Sequence, residues 1–162
     1  MTADYLYIIA EIAVALIGFS GVVTVLGHRG KGQWQTAEKV RLQAMVEPSI
    51  IALFGALLPA TLGMVIEAGD GLWRLCNSLV LLMHLSAFTA YMFRSRNAET
   101  FVSQKLMAGI AVIVFLVQGA SAINLISQHE FALALGLLLG LTVAIFNFCL
   151  LLFHIIQADP GS

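Results

Sequence analysis

A carboxylate, an imidazole and several amides stand inside otherwise apolar stretches of this sequence: Glu11, Asn77, His84, Gln118, Asn124 and Asn147, with Glu47 and Tyr91 nearer the edges of theirs. Asn77, His84 and Tyr91 recur at i, i+7 and i+14, which puts them on one face of a helix. Glu11 shares a helical face with Ala15, Gly18 and Val22, so its carboxylate is expected to point into protein on the small-residue side. Burying an ionisable group in hydrocarbon costs roughly 2.5–3.5 kcal/mol on insertion scales, which makes such residues the first place to look for function. Groups of these types, staggered in depth, can pass protons or coordinate a small cation. Equally, they can serve as interhelical hydrogen bonds worth roughly 0.6 kcal/mol each.

The elements that must hold these groups follow from composition. Of the 162 residues, 60% are hydrophobic and only 10% charged, with a mean hydropathy of +0.95. Soluble domains carry about 25% charged residues, so this chain has too little polar surface to cover a water-borne fold. Lipid removes the conflict. Five apolar runs are separated by polar breaks, at about Leu6–Leu26, Glu47–Ile66, Leu72–Phe93, Leu106–Ile126 and Phe131–Ile156. Each is near the roughly 20 residues a crossing needs, and only a helix satisfies its own backbone in lipid. The expected fold is therefore a single all-α integral membrane domain, residues 1–162, with five transmembrane helices. The first run has no basic residue before it and is too long for a signal-peptide core, so it is expected to remain as a span.

Basic residues set the expected orientation. Arg29, Lys31, Lys39 and Arg41 lie in the first connection and Arg94, Arg96 and Lys105 in the third, whereas only Arg74 lies on the other side. The positive-inside rule puts the first and third connections in the cytoplasm, the N-terminus out and the C-terminus in. Residues 34–45, opening with Trp34, read either as an interfacial helix or as an extension of the second span. Pro59 falls near the middle of the second run, where it should kink the helix and free the carbonyl of Gly55. Pro48 falls at the run's start, where proline is tolerated. Cys76 and Cys149, roughly 20 Å apart in depth at 1.5 Å rise per residue, are too distant for a disulfide and read as buried thiols.

Small residues recur at four-residue spacing as Gly136, Gly140 and Ala144, and as Ala52, Ala56 and Ala60, with Gly18 and Gly21 in the first run. Such stripes let helix backbones approach closely, within one chain or between chains.

Several chemistries are disfavoured. No lysine lies inside an apolar run to anchor a Schiff base, no His-Glu-x-x-His helix offers a zinc site, and no serine sits in a nucleophile elbow. His28 and His154 stand at one depth and form the one conceivable haem pair, but no cofactor or metal is expected. No enzymatic activity is expected, and the net charge of -1 gives no reason to expect nucleic acid as a partner.

The stretch Ala10-Glu-Ile-Ala-Val-Ala-Leu-Ile-Gly-Phe-Ser-Gly21, with Trp34 and Arg41-Leu-Gln-Ala-Met-Val-Glu47, resembles a widespread group of small bacterial multi-span membrane proteins. In that group an acidic residue precedes a Gly-Phe pair in the first span, and a Trp introduces a charged helix ending in glutamate. The resemblance covers roughly the first third of the chain and brings no established activity. It implies a bacterial inner-membrane location and draws attention to Glu11, Gly18, Gly21, Trp34, Arg41 and Glu47.

The leading expectation is a small oligomeric membrane protein that provides a pathway for protons, a small ion or a small solute. Glu11 and His84 would titrate and Glu47 would form the cytoplasmic mouth. The alternative is a non-catalytic accessory subunit that docks a larger membrane complex through its small-residue stripes.

Overall fold

A computed structural model describes residues 4–31, 36–95 and 102–157, with side chains placed for 4–25, 36–95 and 108–153. Among the described residues the chain is all-helical, in five helices: α1 (Asp4–Lys31), α2 (Thr36–Leu62), α3 (Asp70–Ser95), α4 (Val102–Ala122) and α5 (His129–Gln157). Four of them contain stretches long and apolar enough to cross a membrane, and α4 adds a shorter apolar segment, Ala108–Ala122.

The surface is the inverse of a water-borne protein's. Tyr7, Phe19, Phe54, Leu82, Ile113 and Leu116 are exposed, whereas Ser49, Asn77, His84, Gln118, Ser121 and His129 are buried. Hydroxyls on the apolar exterior return to their own helices: Thr61 donates to the Leu57 carbonyl at 2.8 Å, Thr89 to Leu85 at 2.7 Å and Thr142 to Leu138 at 2.8 Å. No donor is then presented to a medium that cannot accept from it.

The apolar core is built by α1, α2, α3 and α5. Ala13 and Leu16 of α1, Met45 and Ala52 of α2, Val80 of α3 and Leu137 of α5 all belong to it. Helices α2 and α5 form its centre, with α1 packed on both. Helix α4 stands outside this core and, among the described residues, packs on α3 and α5. It turns inward the face carrying Ala111, Val114, Gln118 and Ser121, at the i, i+3, i+7, i+10 spacing of one helical stripe. The ends of the bundle differ in charge. Among the residues whose side chains are described, Asp4, Glu67, Asp70 and Glu130 make an acidic end, and the opposite end, where Lys39, Arg41 and Arg94 stand, is the basic end.

Several expected boundaries move. Helix α2 is continuous from Thr36, so residues 36–45 are its first turns, not a separate interfacial helix; Trp34 lies outside the described residues. Because α2 starts so early, Pro48 is interior and removes the donor due to the Ala44 carbonyl. Because it ends at Leu62, Pro59 falls in its last turn instead of mid-span. Helix α4 stops at Ala122, four residues before its apolar run does. Asn124 adopts φ 63°, its N–H bonds to the Ser121 carbonyl at 3.1 Å, and the Leu125 N–H reaches back to Ala120 at 2.8 Å. This is a Schellman ending, with asparagine in the left-handed position. Cys76 is buried but Cys149 is exposed, and neither is in a disulfide.

Close helix approach is concentrated at Gly55. A Cβ there would stand 2.6 Å from Leu137 Cδ2 and 2.9 Å from Val80 Cγ2, whereas nothing lies within 4 Å of one at Gly18 or Gly21. Gly55→Ala should therefore lower stability by about 1–3 kcal/mol through overpacking, while Gly18→Ala stays within about 0.5 kcal/mol of wild type. Thermal denaturation in detergent, followed by helical circular dichroism, compares the two.

Candidate functional site

The interval between α4 and the rest of the bundle holds the buried polar groups. From α3, Asn77 and His84 face it; from α4, Gln118 and Ser121; from the first turn of α5, His129. The Asn77 amide donates to the His129 carbonyl at 2.8 Å and to the Trp73 carbonyl at 3.0 Å. Ser121 Oγ and His129 Nδ1 are 2.9 Å apart. These bonds tie the start of α5 to α3 and to the end of α4, and the Arg74 Nε–H closes the same corner by donating to the Ala122 carbonyl at 3.2 Å.

Toward the middle of the bundle the bonding stops. His84 and Gln118 are neighbours across α3 and α4, yet both ring nitrogens of His84 and both polar atoms of the Gln118 amide are buried without a satisfied hydrogen bond. His129 Nε2 and Asn77 Oδ1 share that condition. An unmet buried polar group costs about 1–3 kcal/mol, so this concentration of them has to be offset by the rest of the fold. The stripe on α5 explains how they fit. A Cβ at Gly136 would overlap the Gln118 carboxamide, and one at Gly140 would lie 3.4 Å from His84 Nε2. Gly136 is thus a recess for a polar side chain, Gly140 leaves His84 at ordinary contact distance, and Ala144 is buried below them.

His84 also borders a cavity of about 100 Å³ that runs toward the basic end between α2, α3, α4 and α5. Its flanks are apolar, including Ile51, Ala111 and Leu139, and polar groups occur at its ends. His84 stacks on Phe115 at 5.7 Å and 24°, and Phe88 meets Phe115 edge-on at 5.7 Å and 83°. Glu47, Tyr91 and Asn147 line the other end. Glu47 accepts from Arg94 at 2.6 Å, and Asn147 donates to its own helix at Val143. A second, wider cavity of about 950 Å³ opens at the acidic end. Tyr5, Asp70, Trp73, His129 and Glu130 are among its walls, and Pro59 and Ala60 line it as well.

The sequence candidates thus divide. Glu47, Asn77, His84, Tyr91, Gln118 and Asn147 lie along one interior strip between α3, α4, α5 and the first half of α2. Glu11 does not join them: with Ala15, Gly18 and Val22 it is exposed on the flank of α1, so the shared face is real but turned outward. Helical periodicity defines a face without saying which way it looks. Asn124 is exposed and serves as the α4 stop. Ala52 and Ala56 are buried, but Ala60 is exposed. The side chains of His28 and His154 lie outside the described residues, and no group of three or more metal-ligating side chains converges among those described.

Two participants escaped the sequence reading. His129 sits in a polar break where a histidine looks like loop, and its position eight residues after Ser121, across a connection short enough to fold the two together, was the available signal. Arg94 pairs with Glu47 from 47 residues away; their matched depth was legible, whereas attention to Arg41 looked only along one helix. Comparison with protein families, with curated proteins and with solved structures finds no match for the chain.

Gly136→Ala should destabilise the fold by about 1–3 kcal/mol. Adding Gln118→Ala should restore about 1 kcal/mol or more of that loss, because the two side chains contend for one recess. A double-mutant cycle of denaturation midpoints reads the coupling; purely additive effects would mean that the glycine is not making room for the amide.

Proposed function

We propose that this is a helical membrane protein of five spans whose α3–α4–α5 interval is a pathway for protons or a small hydrogen-bonding solute. The observation that carries the reading is the chain of unmet polar groups between two cavities whose linings reach residues at opposite ends of the bundle. From the basic end the order is Glu47, the narrow cavity, His84 and Gln118, then Ser121 and His129 beside the wide cavity. Gln118 and Ser121 are three residues apart on one helical face, so the strip is continuous along α4. Imidazoles near its middle and at one mouth can each accept a hydrogen bond at one ring nitrogen and donate one from the other.

The topology expected from the basic residues orients this path. The basic end is cytoplasmic, the N-terminus is outside and the C-terminus inside, and the setting is a bacterial cytoplasmic membrane. The short apolar part of α4 counts as a span because its polar face is covered by α3 and α5, leaving its apolar face for lipid. All of these groups belong to one chain, so the path does not require neighbouring copies to enclose it.

A second reading rests on a different surface. The exposed flank of α1 carries Glu11 among Ala15, Gly18, Gly21 and Val22, with open space over both glycines. A carboxylate facing hydrocarbon is costly, which favours a covered flank and supports an accessory subunit docked to a larger complex, or a homo-oligomer. The two readings separate on Glu11.

In liposomes carrying the purified protein, His84→Ala and Gln118→Leu should each reduce proton flux at least about tenfold, a barrier increase of about 1.4 kcal/mol. Glu11→Gln should leave flux unchanged. Absence of flux above empty liposomes across pH and voltage would refute the pathway. Loss of a copurifying membrane partner in Glu11→Gln and Gly18→Leu alone would establish the docking reading in its place.

A further inference from the structure

Water passing along the narrow cavity and a molecule that rests in it are different questions, and the walls bear on the second. Water needs two to four polar partners to be held in a protein interior, and between its ends this cavity presents mainly alanine, leucine, valine and phenylalanine side chains. At its inner end is an imidazole 6% exposed, with neither nitrogen bonded. We propose that the cavity is a binding site for an uncharged, single-ring organic molecule bearing one hydroxyl, of the phenol class, with that hydroxyl on His84.

Each property of the ligand follows from a property of the walls. Among the described residues lining the cavity, Glu47 is the one carrying formal charge, and Arg94 neutralises it at 2.6 Å. A charged ligand would leave water without a counter-charge, at a cost of several kcal/mol, so the ligand is neutral. An apolar cavity of about 150 Å³ holds benzene. The 100 Å³ here is smaller but only partly enclosed, so it takes at most one ring, reaching into its open side. Phe88 and Phe115 already meet edge to face, and an aromatic guest extends that packing. Neutral imidazole offers one N–H and one bare nitrogen. A hydroxyl can donate to the bare nitrogen, whereas a methyl group in its place leaves the unmet atoms as they were.

At Gly140, α5 comes within ordinary contact of the imidazole: a Cβ there would stand 3.4 Å from His84 Nε2 and 3.4 Å from the Pro48 carbonyl. Pro48 in turn leaves the Ala44 carbonyl without its helical donor beside the same cavity. Both features keep backbone and imidazole close to a guest. This inference concerns occupancy, so it holds or fails whether or not anything crosses the bundle.

The test titrates phenol, and separately toluene, into the full chain in nanodiscs with ¹⁵N-labelled histidine, following the His84 ring resonances assigned by their loss in His84→Phe. Phenol should move them saturably. Phenol affinity, read by competition in saturation-transfer NMR, should fall about tenfold in His84→Phe, as for one lost hydrogen bond. Toluene should bind wild type about tenfold more weakly than phenol. Ala111→Leu, which narrows the cavity from α4, should weaken phenol while leaving the ring resonances of His129 in place as a check on folding. Three outcomes overturn the proposal: no saturable shift with wild type, equal affinity for phenol and toluene, or phenol affinity indifferent to both substitutions. Equal affinities would assign the cavity to an acyl chain of the surrounding lipid. Proton flux intact with no phenol shift would retain the pathway and reject the ligand.

Discussion

Polar side chains in this protein have no solvent to turn to, and the arrangement of α3, α4 and α5 is governed by that constraint. An amide or imidazole facing hydrocarbon forfeits every hydrogen bond, so Asn77, His84, Gln118, Ser121 and His129 must be enclosed. One residue on α5 makes the enclosure of Gln118 possible: Gly136 gives its space to the carboxamide. With a side chain there, α4 could not approach α5 without displacing the amide it brings with it. A position that ordinarily lets two backbones touch here accommodates a polar side chain.

Enclosure is not satisfaction. At the acidic end the groups bond one another, and the Asn77–His129 and Ser121–His129 contacts at 2.8 and 2.9 Å fasten the start of α5. In the middle they do not, and four polar atoms of His84 and Gln118 are left unmet. A structure selected for stability alone would replace such a pair with leucine and phenylalanine at no loss. Their presence beside a cavity is what supports both a path along the strip and a guest at its inner end. The apolar walls between His84 and the Glu47–Arg94 pair are the feature that separates a hydroxylated ring from a water column as occupant.

The α1 flank stands in a different relation to the same constraint. It adds Leu6, Ile9, Ala13 and Leu16 to the core on one side and presents Glu11 on the other. Among the described residues nothing is seen to compensate the carboxylate, so this flank is where a covering partner would contribute most. Interior strip and exterior flank thus correspond to two functional readings carried by separate helices.

Much of this was legible in residue order. Apolar runs of about twenty residues and a charge content too low for a water-exposed surface dictate helices in lipid, because no other backbone conformation satisfies itself there. The i, i+7, i+14 recurrence of Asn77, His84 and Tyr91 placed them on one face, and all three do border the interior strip. Periodicity, however, is symmetric about the helix axis. It could not say that the Glu11 face looks outward, since that depends on which side α2 and α5 occupy. Nor could it distinguish an apolar residue that continues a helix from one beyond its end, which is why Asn124 changed from a polar group in a span to a left-handed stop. For the Glu47–Arg94 and Ser121–His129 pairs, depth and spacing made contact feasible, but only the tertiary structure decided it. They are set by the depth and rotation of one helix against another, and those are decided by which side chains find a glycine opposite them.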